Sequence, residues 1–231
     1  MKIGGYQKLT LIDFPGVLAT TVFTVGCSFR CPFCHNPELV LGGKSSVNDL
    51  AEKDFFKFLI SRKGKLEGVC ITGGEPTIQP DIVEFIRKIK NRGFLVKLDT
   101  NGTRPDVLRN ILNEKLVDYV AMDVKNTPQK YDVTTGVKGD IERIKLSIEL
   151  IRNQAPDYEF RTTVVPGLHI QKDILEIAKW LKGSKKYFLQ PYREIKILDE
   201  KLKQKTKGKK VDLEKIIAKI KTRFEETGIK E

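Results

Sequence analysis

Apolar positions along the chain alternate between two periods. Residues 17–25 are rich in Val, Thr and Phe, contain no Pro or Gly, and predict a first strand that Gly26 ends. Residues 1–16 show no clear period and read as an irregular lead-in, punctuated by a turn at Asp13-Phe14-Pro15-Gly16. The segment from Cys27 to Lys44 reads as a loop with two prolines and a Gly-Gly pair. A helix follows over about 48–61, with Ser46 and Asn48 as candidate caps and Leu50, Phe55, Phe58 and Leu59 on one face. Residues 68–72 then form a short buried strand, and Pro80 opens a helix whose Ile82, Phe85, Ile86 and Ile89 recur at helical spacing.

The same unit repeats. Strands are predicted over 94–98, 116–122, 158–165 and 187–189. Between them lie helices with Val107, Leu108, Ile111 and Leu112, then Ile141, Ile144, Ile148 and Ile151, then Ile174, Ile177, Ala178 and Leu181 on their apolar faces. Six strands alternating with helices predict an α/β fold with a parallel sheet covered by helices. Periodicity does not separate a doubly wound sheet from a partial barrel. In both, the loops after the strands gather on one face, where sites form. The residues falling there are the loop after Gly26, Gly73 to Pro76, Asp99, Asp123, Arg161 and Gln190. Beyond this domain, residues 1–192, a basic extension over 193–231 reads as peripheral, ending in an amphipathic helix with Leu213, Ile216, Ile217, Ile220 and Phe224. It is expected to pack on the same domain.

Composition adds little to this picture. The 231 residues are 40% apolar and 31% charged, ample for a buried core. No apolar run is long enough to span a bilayer. Neither is there a signal-peptide apolar segment, so the expectation is a cytoplasmic protein without a membrane partner. The formal charge of +12 concentrates late, with ten basic and three acidic residues over 185–210. Without a reading motif, that excess describes a solvated lysine-rich surface or a docking face for an acidic partner better than a nucleic-acid site.

Candidate chemistry begins at Cys27, Cys31 and Cys34, three of the four cysteines within eight residues in a CxxxCxxC spacing. In a reducing compartment such a cluster favours a metal or redox centre over disulfides. Three thiolates leave a tetrahedral centre with one open position. Taken alone, the triad also suits a structural zinc with a noncysteine fourth ligand, although His35 directly follows Cys34 and is awkward in that role. Cys70, inside a predicted strand, reads as core packing. Gly73-Gly74-Glu75-Pro76 offers backbone freedom and close approach to a ligand.

Together these features resemble the radical S-adenosylmethionine (SAM) enzymes. The resemblance rests on CxxxCxxC after the first strand with Phe33 before the last cysteine, and on GGEP at Gly73 to Pro76. It covers most of residues 7–192. Cys34-His35-Asn36-Pro37, Asp99-Thr100-Asn101-Gly102 and Asp123-Val124-Lys125 are similar more narrowly to the glycyl-radical-enzyme activases. The opening Leu11-Ile12-Asp13-Phe14-Pro15-Gly16 is similar to activating proteins of anaerobic ribonucleoside-triphosphate reductase, and pyruvate formate-lyase activating enzymes resemble the chain too.

The resemblance implies a partial (β/α)6 barrel and an oxidoreductase. Cys27, Cys31 and Cys34 would ligate three irons of a 4Fe–4S cluster, with SAM on the fourth. Gly73, Gly74 and Glu75 would meet the methionine end of SAM. Asp99 would face its ribose or sulfonium, and Arg161 and Lys125 would draw its carboxylate. Phe33, His35 and Asn36 would lie at the cofactor edge. Thr100 and Asp123 would help form a monovalent-cation site. His169 is expected to be exposed and outside the chemistry. Arg193 stands where the pyruvate-type activases commonly carry His.

The implied reaction is reductive SAM cleavage, with an electron from flavodoxin, ferredoxin or a similar reductant. The resulting radical would take a hydrogen from a glycine of a partner enzyme, anaerobic ribonucleotide reductase in the first reading. Alternatives are activation of pyruvate formate-lyase or another glycyl radical enzyme, radical chemistry on a pterin or nucleobase, and a nonenzymatic Fe–S electron carrier or assembly protein.

Overall fold

The computed structural model describes residues 1–41 and 51–230. Among them, eight strands lie in one sheet in chain order. They are β1 (Ile3–Thr10), β2 (Ala19–Thr24), β3 (Gly68–Gly73), β4 (Leu95–Thr100), β5 (Tyr119–Asp123), β6 (Tyr158–Val164), β7 (Lys186–Pro191) and β8 (Glu226–Ile229). The helices are α1 (Pro37–Leu41), α2 (Glu52–Ser61), α3 (Ile82–Lys90), α4 (Pro105–Asn113), α5 (Tyr131–Thr135), α6 (Ile141–Gln154), α7 (Gln171–Trp180), α8 (Lys201–Thr206) and α9 (Leu213–Ile220). The order strand–helix–strand from β2 to β7 is the expected α/β layout.

The described chain divides into two compact units. The first comprises residues 1–28, 38–121 and 143–157. Here β2 pairs parallel with β3, and β3 parallel with β4, so that Thr21, Cys70 and Lys97 stand in one row. Partners in a parallel register share a face. The core carries the predicted α3 stripe, Ile82, Phe85, Ile86 and Ile89, all buried. Phe55 is 0% exposed and meets Tyr6, Phe56 and Phe85 at ring-centroid distances of 5.6, 5.6 and 5.7 Å.

The second unit comprises residues 29–37, 122–142 and 158–231. Strands β6, β7 and β8 run parallel. Tyr187 is fully buried, its hydroxyl donates to Thr162 Oγ1 at 2.9 Å, and its ring packs on Phe224 at 5.3 Å. Aromatic bulk with a satisfied hydroxyl is a stable way to fill such a core.

Several boundaries differ from expectation. The lead-in is strand β1, antiparallel to β2 with two register irregularities, so the sheet is mixed. Only Ile3 and Thr10 of β1 are buried, which removes the alternation that would reveal a strand. The predicted loop over 27–44 contains α1, and the irregular stretch after β5 contains α5. Five-residue helices carry too little periodicity to detect. Helix α2 begins at Glu52; Leu50 and the proposed caps Ser46 and Asn48 lie outside the described residues.

Strand β4 extends through Asp99 and Thr100, so these are strand-end rather than loop residues. The C-terminal helix stops at Ile220, and Phe224 instead leads into β8, a strand without a sequence signal. Residues 193–210 contain α8 with a buried Leu202, and Ile197 before it is buried too, so that segment is packed despite its lysines.

The aromatic contact in the first unit gives a stability prediction. Phe55→Ala should cost about 3–5 kcal/mol, read as a lower urea midpoint at an unchanged slope.

Candidate active site

In the first unit the site is built from strand ends. Strand β2 runs through Thr24 into Gly26 and Cys27. Gly73, at the end of β3, has φ 111°, a conformation that favours glycine. A Cβ on Gly74 would fall 1.9 Å from the Gly26 carbonyl oxygen, and one on Gly73 2.4 Å from the Thr24 nitrogen. The GGEP loop therefore lies backbone-to-backbone on the residues that introduce Cys27. Gly74 N–H donates to Thr24 O at 2.9 Å, and Glu75 N–H to Gly26 O at 2.8 Å.

Glu75 itself is 1% exposed. Its Oε1 accepts from Thr77 N at 3.0 Å, Thr77 Oγ1 at 2.5 Å and Thr100 Oγ1 at 2.8 Å, and its Oε2 accepts from Asn101 N at 2.6 Å. Burial pushes its carboxyl above the usual range, against four hydrogen bonds that favour the ionised form. Glu75 thus fastens the β3 loop to the end of β4.

Asn101 continues this chain of contacts. Buried, it donates from Nδ2 to Ser28 Oγ at 3.0 Å and to Cys27 Sγ at 3.7 Å. A donor on a ligating sulfur orients it and tunes its potential. The sequence places Asn101 in a turn, and its signal was the Asp99-Thr100-Asn101-Gly102 motif itself. Lys97 carried no motif at all. It is 1% exposed, pairs with Asp99 Oδ1, and lies 3.8 Å from Cys70 Sγ. Cys70 is buried within β3, as expected for core packing.

In the second unit, Cys31 and Cys34 close a turn in which Cys34 N–H donates to Cys31 O at 3.0 Å. Phe33 between them is buried. Arg30 N–H donates to Thr135 O at 2.8 Å, so α5 anchors the entry to this turn. Asp123, at the end of β5, accepts from Lys125 Nζ at 2.9 Å and from Arg161 Nε at 3.0 Å. Burial opposes its charge, yet the two cations hold its carboxyl well below the usual range. Lys125 is held above its ordinary value: burial works against it, and Asp123 and the Cys31 thiolate outweigh that cost.

One sequence expectation needs revision here. His169 is 1% exposed rather than surface-lying. Its Nδ1 accepts from Val165 N–H at 3.0 Å, which leaves the proton on Nε2 to donate to Lys125 O at 2.8 Å. It therefore ties the turn after β6 to the segment carrying Asp123 and Lys125. His35 and Asn36 are exposed; His35 Nε2 meets the Arg193 carbonyl at 2.8 Å and its ring stacks near Tyr192 at 6.2 Å. That contact gives His35 a loop-fixing role.

A model of the radical SAM superfamily matches residues 21–181. The chain belongs to that superfamily. It is 34% identical over 219 residues to a protein of Methanocaldococcus jannaschii that is named, provisionally, a glycyl-radical enzyme activating enzyme, covering 93% of this chain and 89% of that one. A pyruvate formate-lyase-activating enzyme of Clostridium pasteurianum is 30% identical over 239 residues, covering 95% and 98%. Among solved structures, Streptococcus suis SuiB bound to S-adenosylmethionine superposes with a TM-score of 0.64 at 16% identity, over 93% of this chain but 52% of that one. At that identity the likeness shows the fold, the partial (β/α) barrel of radical SAM enzymes.

The donor set suits this superfamily's 4Fe–4S and SAM system. Three thiols sit in one short stretch, one beside the Lys125 ammonium and one under the Asn101 amide. A nearby cation favours the thiolate that binds iron. Among the described residues, no three His, Cys, Asp or Glu side chains gather tightly enough for a single metal ion. No helix among them is long and apolar enough to cross a membrane.

Two measurements test this geometry. Gly74→Ala should cost about 3 kcal/mol or more through overpacking against Gly26, seen as a lower melting temperature with reduced iron loading. His169 is held below its ordinary value of 6.5, by burial first. The unfolded chain therefore binds the extra proton more readily, so stability is complete above about pH 6.5 and falls as pH drops below it. Urea midpoints measured from pH 7 downward should decline, and His169→Gln should flatten that decline.

Proposed function

We propose that this radical SAM enzyme is a glycyl-radical-enzyme activase. The observation that carries the reading is the near-complete coverage in both directions of the two activating-enzyme relatives, on a chain that carries the activase-like stretches Cys34 to Pro37, Asp99 to Gly102 and Asp123 to Lys125. Once bound, the reduced cluster and SAM would supply the one-electron reductive cleavage of a carbon–sulfur bond, with the electron coming from an external reductant.

Everything else falls to the chain. Cys27, Cys31 and Cys34 would hold the cluster through their thiolates and leave a position for SAM. Gly73 and Gly74, free of side chains, let the backbone reach the methionine end. Asp99 would face the ribose or sulfonium of SAM. Lys125 and Arg161, both paired with Asp123, would draw the SAM carboxylate. Phe33 keeps its part of the loop dry. The substrate hydrogen is the Cα hydrogen of a glycine on the partner, and no general base is needed.

The relatives favour a partner of the pyruvate formate-lyase kind over anaerobic ribonucleotide reductase. The motif that suggested the reductase is occupied structurally: Asp13 Oδ2 accepts from Thr21 Oγ1 at 2.5 Å, and Phe14 packs toward Ala19 and Tyr119. Flavodoxin or ferredoxin is the proposed electron source.

The test is anaerobic reconstitution with iron and sulfide, followed by reductant, SAM and each candidate partner. The expected result is 5′-deoxyadenosine together with a glycyl radical EPR signal on a pyruvate formate-lyase-type partner. Cleavage without a radical on any glycyl radical enzyme would favour a pterin or nucleobase substrate, and no cleavage by the fully loaded protein would leave an electron carrier. Cys31→Ala should lose stable cluster loading; unchanged iron content would remove it from the ligand set.

A further inference from the structure

Family resemblance implies a monovalent-cation site formed with the help of Thr100 and Asp123. These side chains, each in its own unit, already hold other partners. Thr100 Oγ1 gives its proton to Glu75 Oε1 at 2.8 Å and accepts from Gly102 N–H at 3.1 Å. Asp123 in its own unit already carries the Lys125 ammonium and the Arg161 guanidinium, one on each oxygen. Asp99 pairs with the ammonium of Lys97.

Lys97 is the unusual residue. It stands on β4 in register with Cys70 on β3 and Thr21 on β2, in a row otherwise filled by small side chains. Its side chain is 2% exposed against 15% for Asp99, so the cation is the more deeply buried partner. The Tyr119 ring lies 6.0 Å from Nζ, at the outer reach of a cation–π contact. A lysine this buried is costly unless a carboxylate answers it. Two residues along the same strand face, Asp99 is the answering group.

We propose that Lys97 supplies, from within the chain, the positive charge that a monovalent cation would bring to Asp99, so that this enzyme works without one. The proposal rests on the radical SAM reading of the pocket and deepens it. Lys97 acts through Asp99: it fixes the carboxylate that meets SAM, and is a positioning residue rather than a catalytic one. An ammonium tethered to the neighbouring strand position needs no capture from solution. It also bars a second cation by charge repulsion at short range.

The experiment uses the oxidised, cluster-loaded protein and sodium ion as the probe. Sodium NMR line widths, titrated with protein, should show no saturable site in the wild type. Lys97→Met should create one, and the further change Asp99→Asn should abolish it. In parallel, wild-type SAM affinity should change by less than about twofold when tetramethylammonium replaces sodium or potassium, the remainder being ionic screening. Lys97→Met should bind SAM weakly in tetramethylammonium and recover in sodium or potassium. A saturable sodium site in the wild type that Asp99→Asn removes would overturn the proposal, and this arm needs no Lys97 variant to fold. Failure of SAM to bind in any salt would instead sink the functional reading, since the sodium arm reports on Lys97 independently.

Discussion

The site depends on one buried carboxylate. Glu75 takes four donated hydrogen bonds, two from Thr77 and one each from Thr100 and the Asn101 backbone. A buried carboxylate is tolerable only when its lone pairs are answered, and each of these donors comes from a segment the pocket needs in place. Through Thr77 the acid shapes its own GGEP loop. Through Thr100 and Asn101 it captures the end of β4, and the Asn101 amide then reaches Cys27. The alignment of a cysteine, a glycine loop and a strand end is thereby reduced to one acid and its partners. Side-chain-free backbone at Gly73 and Gly74 is the complementary requirement, because any Cβ there would occupy the Thr24 and Gly26 backbone.

Charge is arranged with the same economy. Each acid at a strand end has a basic partner from the chain: Asp99 has Lys97, and Asp123 has Lys125 and Arg161. Glu159, deeper on β6, is shared by Lys230 from beyond β8 and, at 3.9 Å, by Arg161. These pairs hold ionised groups in fixed positions before any ligand arrives, so little reorganisation remains for binding. The charged form of Lys125 is further favoured by Cys31, which couples the basic group to the turn that holds Cys31 and Cys34.

Much of this was legible in the sequence, for identifiable reasons. The alternation of apolar strands with 3.6-period helices such as Ile82, Phe85, Ile86 and Ile89 comes from burial on both sides of a parallel sheet. Motifs with backbone roles, GGEP above all, were readable because only glycine permits the contact. What escaped detection depends on tertiary neighbours. Strand β1 buries only Ile3 and Thr10, and β8 is four residues long with none of them buried. Lys97 looks like a solvent-facing strand residue until Asp99 and Cys70 are seen beside it. His169 looks exposed in a turn after Pro166-Gly167, yet Val165 N–H and Lys125 O claim both ring nitrogens.

The central claim is that Cys27, Cys31 and Cys34 leave one iron of a four-iron cluster open to SAM. Mössbauer spectra of the reconstituted, iron-57-labelled protein before and after addition of SAM test it most directly. One iron in four should acquire a distinct environment when SAM is added. Spectra that stay unchanged with saturating SAM in a fully loaded protein would contradict it.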